Sequence, residues 1–358
     1  MQHTITKFPF FLIGCGMYLA SCSSANTEGM EKQIQAELHT IDSLLRNPDY
    51  SLEMAKALDA AYHEGVGEKP VDFLLPGESI ATVWKSVKEE KAATSLAGFY
   101  ATECGVSYLA TQTQKKPTDI LQAIVNKTLD SASILLLNRF ANATWKAGQP
   151  FRDIKRITRS TFTVFNFLPP DEVEKDYVQI NSAAAKLLSA MQDVINSDTK
   201  GQMEKMRSLL QSESFAYEMA ANQDAAYNNS QQQPAKAIIN QDDTATIEKN
   251  VKEQKIATGI AGFYALECGV NYLVATKHIL PSAILQSIVG NTISKEDKEL
   301  FCRFANATWK AGQPFRDLSR ITRETFTPFY FLSASDIEKD WVQIKAAAKK
   351  LQESFNKK

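Results

Sequence analysis

Histidine is scarce. The chain has four among 358 residues, and none of His3, His39, His63 and His278 falls at matching positions of the repeat described below. A Cys/His dyad or a histidine-based metal centre needs imidazoles held at fixed places. Both are therefore set aside, and neither a metal nor a cofactor is expected. Cysteine is also thin: five in all, of which Cys15 and Cys22 lie in the N-terminal stretch. Cys104, Cys268 and Cys302 remain, an odd set that reads as buried thiols rather than a disulfide framework. Excess charge of one sign is missing, since 40 basic residues face 41 acidic ones for a net charge of -1. No whole-chain field draws the protein onto nucleic acid, and a nucleic-acid partner is not expected. Sustained alternation of apolar and polar residues is absent as well, so no strand is predicted.

One apolar run does exist, at the N-terminus. Lys7 precedes the twelve residues Phe8 to Leu19, too few to cross a bilayer, which takes about 20 in a helix, but suited to a secretory signal. Leu19, Ala20, Ser21 and Cys22 follow, and these four residues resemble the bacterial lipobox. That resemblance implies a signal peptide over 1–21, lipidation of Cys22 by acyl chains such as palmitate, and a polar tether over 22–30. Several chains at about 0.8 kcal/mol per buried CH₂ anchor a protein stably. The implied address is the bacterial cell envelope, at the outer membrane, on its periplasmic or surface face.

The rest of the chain is organised around a segment that occurs twice. Arg139 to Asp153 reads Arg-Phe-Ala-Asn-Ala-Thr-Trp-Lys-Ala-Gly-Gln-Pro-Phe-Arg-Asp, and Arg303 to Asp317 is identical. A constant offset of 164 extends the match from about Val83/Ile247 to Ile180/Ile344, and upstream the offset becomes 165. We therefore expect an all-α fold: a tandem duplication of a unit of about six helices, spanning 31–196 and 197–358, with the two copies packed about a pseudo-two-fold axis.

Along the chain, Glu31 to Arg46 and Leu52 to Glu64 are amphipathic, Gly65 to Gly77 reads as a loop, and its partner Ser230 to Asp243 differs from it. A long helix from Glu78 to about Thr113 is matched by Thr244 to about Lys277. Thr118 and Ser282 are expected N-caps of a helix ending near Leu129, and Asp130 and Ser294 are expected caps of the motif helix. Gly148 and Pro150 should end that helix. Asp171 and Glu172 suit the first turn of a closing helix that runs to about Asn196. Ser197 to Gly201 then leads straight into the second copy.

The candidate site follows from a carboxylate in the wrong company. Leu96, Phe99, Glu103, Val106 and Ala110 share one helical face, as do Ile260, Phe263, Glu267, Val270 and Val274. An ion in such a seam must be paired, protonated or open to a cavity, because its desolvation otherwise costs several kcal/mol. Gly98 and Gly105 on the same helix are expected to admit a close neighbour. The partners expected for Glu103 are the basic residues of the twinned segment, Arg139, Lys146 and Arg152, with arginine foremost. Asn142, Trp145 and Gln149 would orient a bound sugar or other polar ring. The equivalent set is Glu267, Arg303, Asn306, Trp309, Lys310, Gln313 and Arg316. The competing interpretation is a structural network that fixes helix crossings.

The leading functional expectation is a lipid-anchored, non-enzymatic binding or interaction module with two equivalent sites for an envelope glycan or a protein partner. One alternative is an envelope polysaccharide hydrolase with Glu103 and Glu267 as general acids and Asp153 or Asp317 as the second carboxylate. Another is an immunity or inhibitor lipoprotein. The Asn-x-Thr sequons at Asn142 and Asn306 read as coincidental. Asp42-Ser43, Asp130-Ser131 and Asp243-Thr244 resemble a bacterial O-glycosylation motif. The Gly-x-His-x-x-Glu signature of imelysin-like helical lipoproteins is absent, and that family is not assigned.

Overall fold

The computed structural model describes residues 24–46, 97–152, 163–211, 261–316 and 327–356. The amphipathic stretch Leu52 to Glu64, the two expected loops, the starts of both long helices, the signal region, Asp153 and Asp317 lie outside them, as do the side chains of Gln149, Arg152, Gln313 and Arg316. Among the described residues there are ten α-helices and no strand, so this part of the protein is all-α. They are α1 (Ser24–Arg46), α2 (Ala97–Thr113), α3 (Pro117–Val125), α4 (Ser131–Arg152), α5 (Pro170–Ala190), α6 (Thr199–Gln211), α7 (Ala261–Lys277), α8 (Pro281–Val289), α9 (Lys295–Arg316) and α10 (Ala334–Asn356). Short 3₁₀ turns at Phe165–Phe167 and Phe329–Phe331 precede α5 and α10.

Each helix has a readable local cause. α2 and α7 are apolar on nearly every face; in α7 each residue from Ala261 to Asn271 is buried, as suits a helix enclosed on all sides. Gly105 and Gly269 let α4 and α9 come close. A Cβ at Gly105 would collide with the Leu137 side chain, and one at Gly269 with the Phe301 ring. α4 and α9 start where expected: the Ser133 N–H donates to Asp130 Oδ1 at 2.8 Å, and the Asp297 N–H to Ser294 Oγ at 3.1 Å. Such caps are worth about 1 kcal/mol. Asp171 and Glu172 occupy the first turn of α5.

Four expectations about boundaries are corrected. α4 and α9 run through Gly148-Gln149-Pro150 and its repeat to Arg152 and Arg316. Proline removes one intrahelical hydrogen bond, yet the turn before it is held by buried Lys146 and Ala147 and their repeats Lys310 and Ala311. Thr118 and Ser282 are not N-caps. α3 and α8 begin at the prolines themselves, and Lys116 and Leu280 stand at the caps without a side-chain bond. α3 stops at Val125 rather than near Leu129, where Lys127 takes a positive φ of 56° that a continuing helix excludes. The polar tether expected over 22–30 is helical from Ser24, aided by Lys32 donating to Glu28 at 2.6 Å one turn away.

The core is one continuous cluster drawn from both halves of the chain. α4 and α9 pack on each other and each also packs on the other half's long helix, α7 and α2 respectively. Where α4 meets α9, Phe140 and Phe304 stack with centroids 4.1 Å apart. α1 and α6 bridge the halves. α1 buries Ile34, Leu38 and Ile41 and packs on α8; Glu37 accepts the Ser282 N–H at 2.7 Å and its hydroxyl at 2.9 Å. α6 does the converse on α3, where Gln202 Oε1 accepts the Thr118 N–H at 2.9 Å and its hydroxyl at 3.1 Å. The helix N-termini left uncapped locally are thus satisfied from far along the chain.

Candidate functional site

Glu103 lies in the middle of α2 with no solvent exposure. Its Oε2 accepts from Lys310 Nζ at 2.6 Å and from the Cys104 thiol at 3.2 Å, and its Oε1 accepts the Phe329 backbone N–H at 3.0 Å. Glu267 on α7 has the converse set. Lys146 Nζ donates at 2.6 Å, the Cys268 thiol at 3.3 Å, the Phe165 N–H at 2.9 Å and Asn271 Nδ2 at 2.8 Å. The lysines are 1% exposed. Each carboxylate is therefore enclosed and saturated by donors, as a buried ion must be.

This corrects the expected partnership in two respects. The cation is lysine rather than arginine, and it comes from the opposite half of the chain. The i, i+4 path from Asn142 to Lys146 carries the ammonium across the α4/α7 contact, whereas Arg139, nearly two turns earlier on α4, meets other groups. Burial acts to lower the Lys146 ammonium and is the largest single influence, but Glu267, Cys268 and Asp176 together outweigh it and the group is raised. Lys310 behaves alike, burial opposing and Cys104 with Glu103 raising it.

A third group joins each pair. Asn142 Nδ2 donates to Asp176 Oδ2 at 3.3 Å, and Asn306 hydrogen-bonds Asp340. Asp176 and Asp340 are buried and were not anticipated. The signal was present, because each is an acidic residue within the apolar spacing of its helix, beside Ile180, Ala183 and Leu187 or Ile344, Ala347 and Leu351. Burial pushes the Asp176 carboxyl up to about 8 against the pull of Lys146, and it drives Asp340 well above the carboxylate range. Burial thus favours the protonated form of Asp176.

The arginines form a separate pair of corners. The Arg139 guanidinium carbon sits 4.4 Å from the Phe165 ring centroid and 5.9 Å from that of Tyr272. Arg303 sits 4.4 Å from Phe329 and 5.5 Å from Tyr108. Such stacking suits a desolvated guanidinium. Burial pushes Arg139 down to about 10, with Cys268 and Glu267 opposing. Trp145 and Trp309 are half-buried and pack against the core. The structure thus brings Glu103 together with Lys310 and Asn306, and Glu267 with Lys146 and Asn142, while each arginine stacks beside a cluster, close enough for Cys268 and Glu267 to act on Arg139. Asn142 and Asn306 are 4% and 5% exposed, so in this fold neither sequon offers its amide to a glycan.

Chemically the clusters are closed. A general acid must present its proton to a substrate, and both oxygens of each glutamate are engaged by internal donors. Cys104 and Cys268 are pushed well up, by burial first and then by the adjacent glutamate, which keeps them as thiols rather than nucleophilic thiolates. All three described cysteines are buried and free. Among the described residues no group of three or more His, Cys, Asp or Glu is placed to hold a metal ion. None of the described helices is long and apolar enough to cross a membrane. No protein-family model matches the chain, and neither a curated protein nor a solved structure matches it.

Proposed function

We propose that this is a lipid-anchored protein of the bacterial cell envelope, joined to the membrane through Cys22, whose body is a tandem duplication packed about a pseudo-two-fold axis and acts as a non-enzymatic binding or interaction module. The observation that carries the reading is the exchange of lysines: each half supplies the buried cation for the other half's glutamate. Chemistry kept identically in both copies is spent on holding the copies in register, and the outer faces of the helices are left for a partner. Matched ends support the duplication: α3 and α8, described at both ends, have 9 residues each, and α4 and α9 start at equivalent positions, Ser131 and Lys295. The lipobox-like Leu-Ala-Ser-Cys supports the address. The hydrolase alternative draws no support from glutamates sealed in this way.

Two measurements test the reading. Labelled palmitate should enter the wild-type chain and not Cys22→Ser, and the variant should leave the membrane fraction; equal labelling of both removes the anchor. A thermal-shift screen of envelope sugars and of acidic and neutral small ligands should yield at least one saturable shift. Turnover of an envelope polysaccharide that disappears in a folded Glu103→Gln variant would instead establish an enzyme.

A further inference from the structure

The two arginine corners have the same walls and different contents. Arg303 is fully answered. Its Nε and Nη2 donate to Glu299 Oε1 at 3.0 and 2.8 Å, and its Nη1 donates to Ser107 Oγ at 2.8 Å. A carboxylate thus covers one side edge of the guanidinium while aromatic rings cover its face. Leu135 stands at the position that matches Glu299, and Asn271 at the position that matches Ser107. Among the described residues Arg139 consequently has neutral acceptors alone: the Leu135 carbonyl on Nη1 at 3.2 Å and Asn166 Oδ1 on Nη2 at 3.4 Å. Its Nε has no acceptor, although the side chain is 2% exposed. Asn271 turns its amide nitrogen to Glu267, and its Oδ1 is left without a donor.

A guanidinium does not give up its charge in a protein, and a buried ionic donor left unanswered is costly. The second half shows what chemistry fits the edge, because there one carboxylate oxygen, Glu299 Oε1, accepts from Nε and Nη2 together as charge-assisted bonds. The place is also reachable. The Glu299 side chain is 30% exposed where it holds Arg303; at the matching position half-buried Leu135 stands over the buried Arg139 edge, so a ligand reaches it by displacing that one side chain.

We propose that the Nε/Nη2 edge of Arg139 is a binding site for the carboxylate of a small organic acid, and that the second half keeps the same site permanently filled by its own Glu299. This rests on the reading of the chain as a binding module and narrows it: the two copies are not two equivalent sites but one open and one self-occupied. The apolar flank formed by Leu135, Phe165 and Tyr272 favours an acid with an aromatic or aliphatic body over a bare one.

The test uses the full chain, with benzoate and acetate as probes against chloride at constant ionic strength, read by thermal shift and calorimetric titration. Benzoate should bind wild type saturably and more tightly than acetate. Leu135→Glu, which rebuilds the second half's arrangement, should melt higher than wild type without any probe and bind benzoate at least tenfold more weakly. Arg139→Lys, which keeps the charge and loses the two-bond edge, should also lose binding. Absence of saturable binding in wild type, or equal binding in Leu135→Glu, overturns the site. If carboxylates fail while an envelope sugar still shifts the melting temperature, only this site falls; if nothing binds, the binding-module reading falls with it.

Discussion

The lysine clusters and the arginine corners are built from the same twinned segment, yet one kind is alike in both halves and the other is not. Lys146 and Lys310 reach their glutamates at the same 2.6 Å, with the same thiol and the same backbone N–H closing the cage. Arg139 and Arg303 share their aromatic walls, but only Arg303 holds a carboxylate. The difference follows from what surrounds each side chain. A lysine sealed between two halves has no tolerance for change on either side, since a lone buried charge costs several kcal/mol. The Arg139 guanidinium has lost the carboxylate and keeps a carbonyl, an amide oxygen and two aromatic rings, with its Nε unanswered. Between the two halves, identical residues go with the sealed ion pairs, and differing residues go with the arginine corners.

The strongest way to break the comparison is to remove one half of an ion pair. Lys146→Ala or Glu267→Ala should lower stability by about 3–5 kcal/mol in denaturant titration, and Lys310→Ala or Glu103→Ala by the same amount. A clear inequality between the two would show that the clusters are not energetic equals. Replacing both members, as in Lys146→Met with Glu267→Leu, should cost much less than either single change, because no unpaired ion remains.

Close packing gives the next effect. Gly269→Ala places a methyl group against the flat Phe301 ring and should cost about 1–3 kcal/mol. Gly105→Ala meets the tip of Leu137, which can swing aside, and should cost less. Equal costs would mean that α4 and α9 adjust as whole helices rather than through single side chains.

The buried aspartates make stability depend on pH. An unfolded chain releases the Asp176 proton near 3.8 while the folded one keeps it to about 8, so the folded state binds more protons across that interval and stability falls as pH rises through it. Asp176→Asn should flatten this decline, which should be on the order of 1 kcal/mol or more, in melting curves taken from pH 4 to 8. A slope unchanged in the variant would place the titration elsewhere. Smallest are the bridging caps: Glu37→Ala and Gln202→Ala should each cost about 1 kcal/mol, measurable as separate, additive losses.

Much of this was legible in the sequence, and the omissions have physical reasons. The apolar surroundings of Glu103 and Glu267 foretold burial and a cation, and Asp130 and Ser294 foretold the starts of α4 and α9. The choice of half for that cation was not legible, because an identical segment in each copy offers the same lysine whether the contact is internal or exchanged. Lysine rather than arginine was also hidden, since both lie on the polar side of one helix and only the approach of α7 decides which one it meets. Proline at 150 reads as a stop on local propensity, but tertiary packing of the preceding turn carries the helix past it. Asp176 carries the same signal as Glu103, a carboxylate within the apolar spacing of its helix beside Ile180, Ala183 and Leu187.

The bridging contacts have a bearing on the order in which the molecule can be finished. Glu103 finds its lysine 207 residues later in the chain, and Glu37 finds its serine 245 residues later. At ordinary synthesis rates of about 5–20 residues per second, the first of these waits is roughly 10 to 40 s. Until then the leading half has charged groups in its interior with no answer, and Glu37 has no helix end to cap. The leading half therefore cannot mature alone, and whatever escorts the nascent chain must shield it until the trailing half arrives.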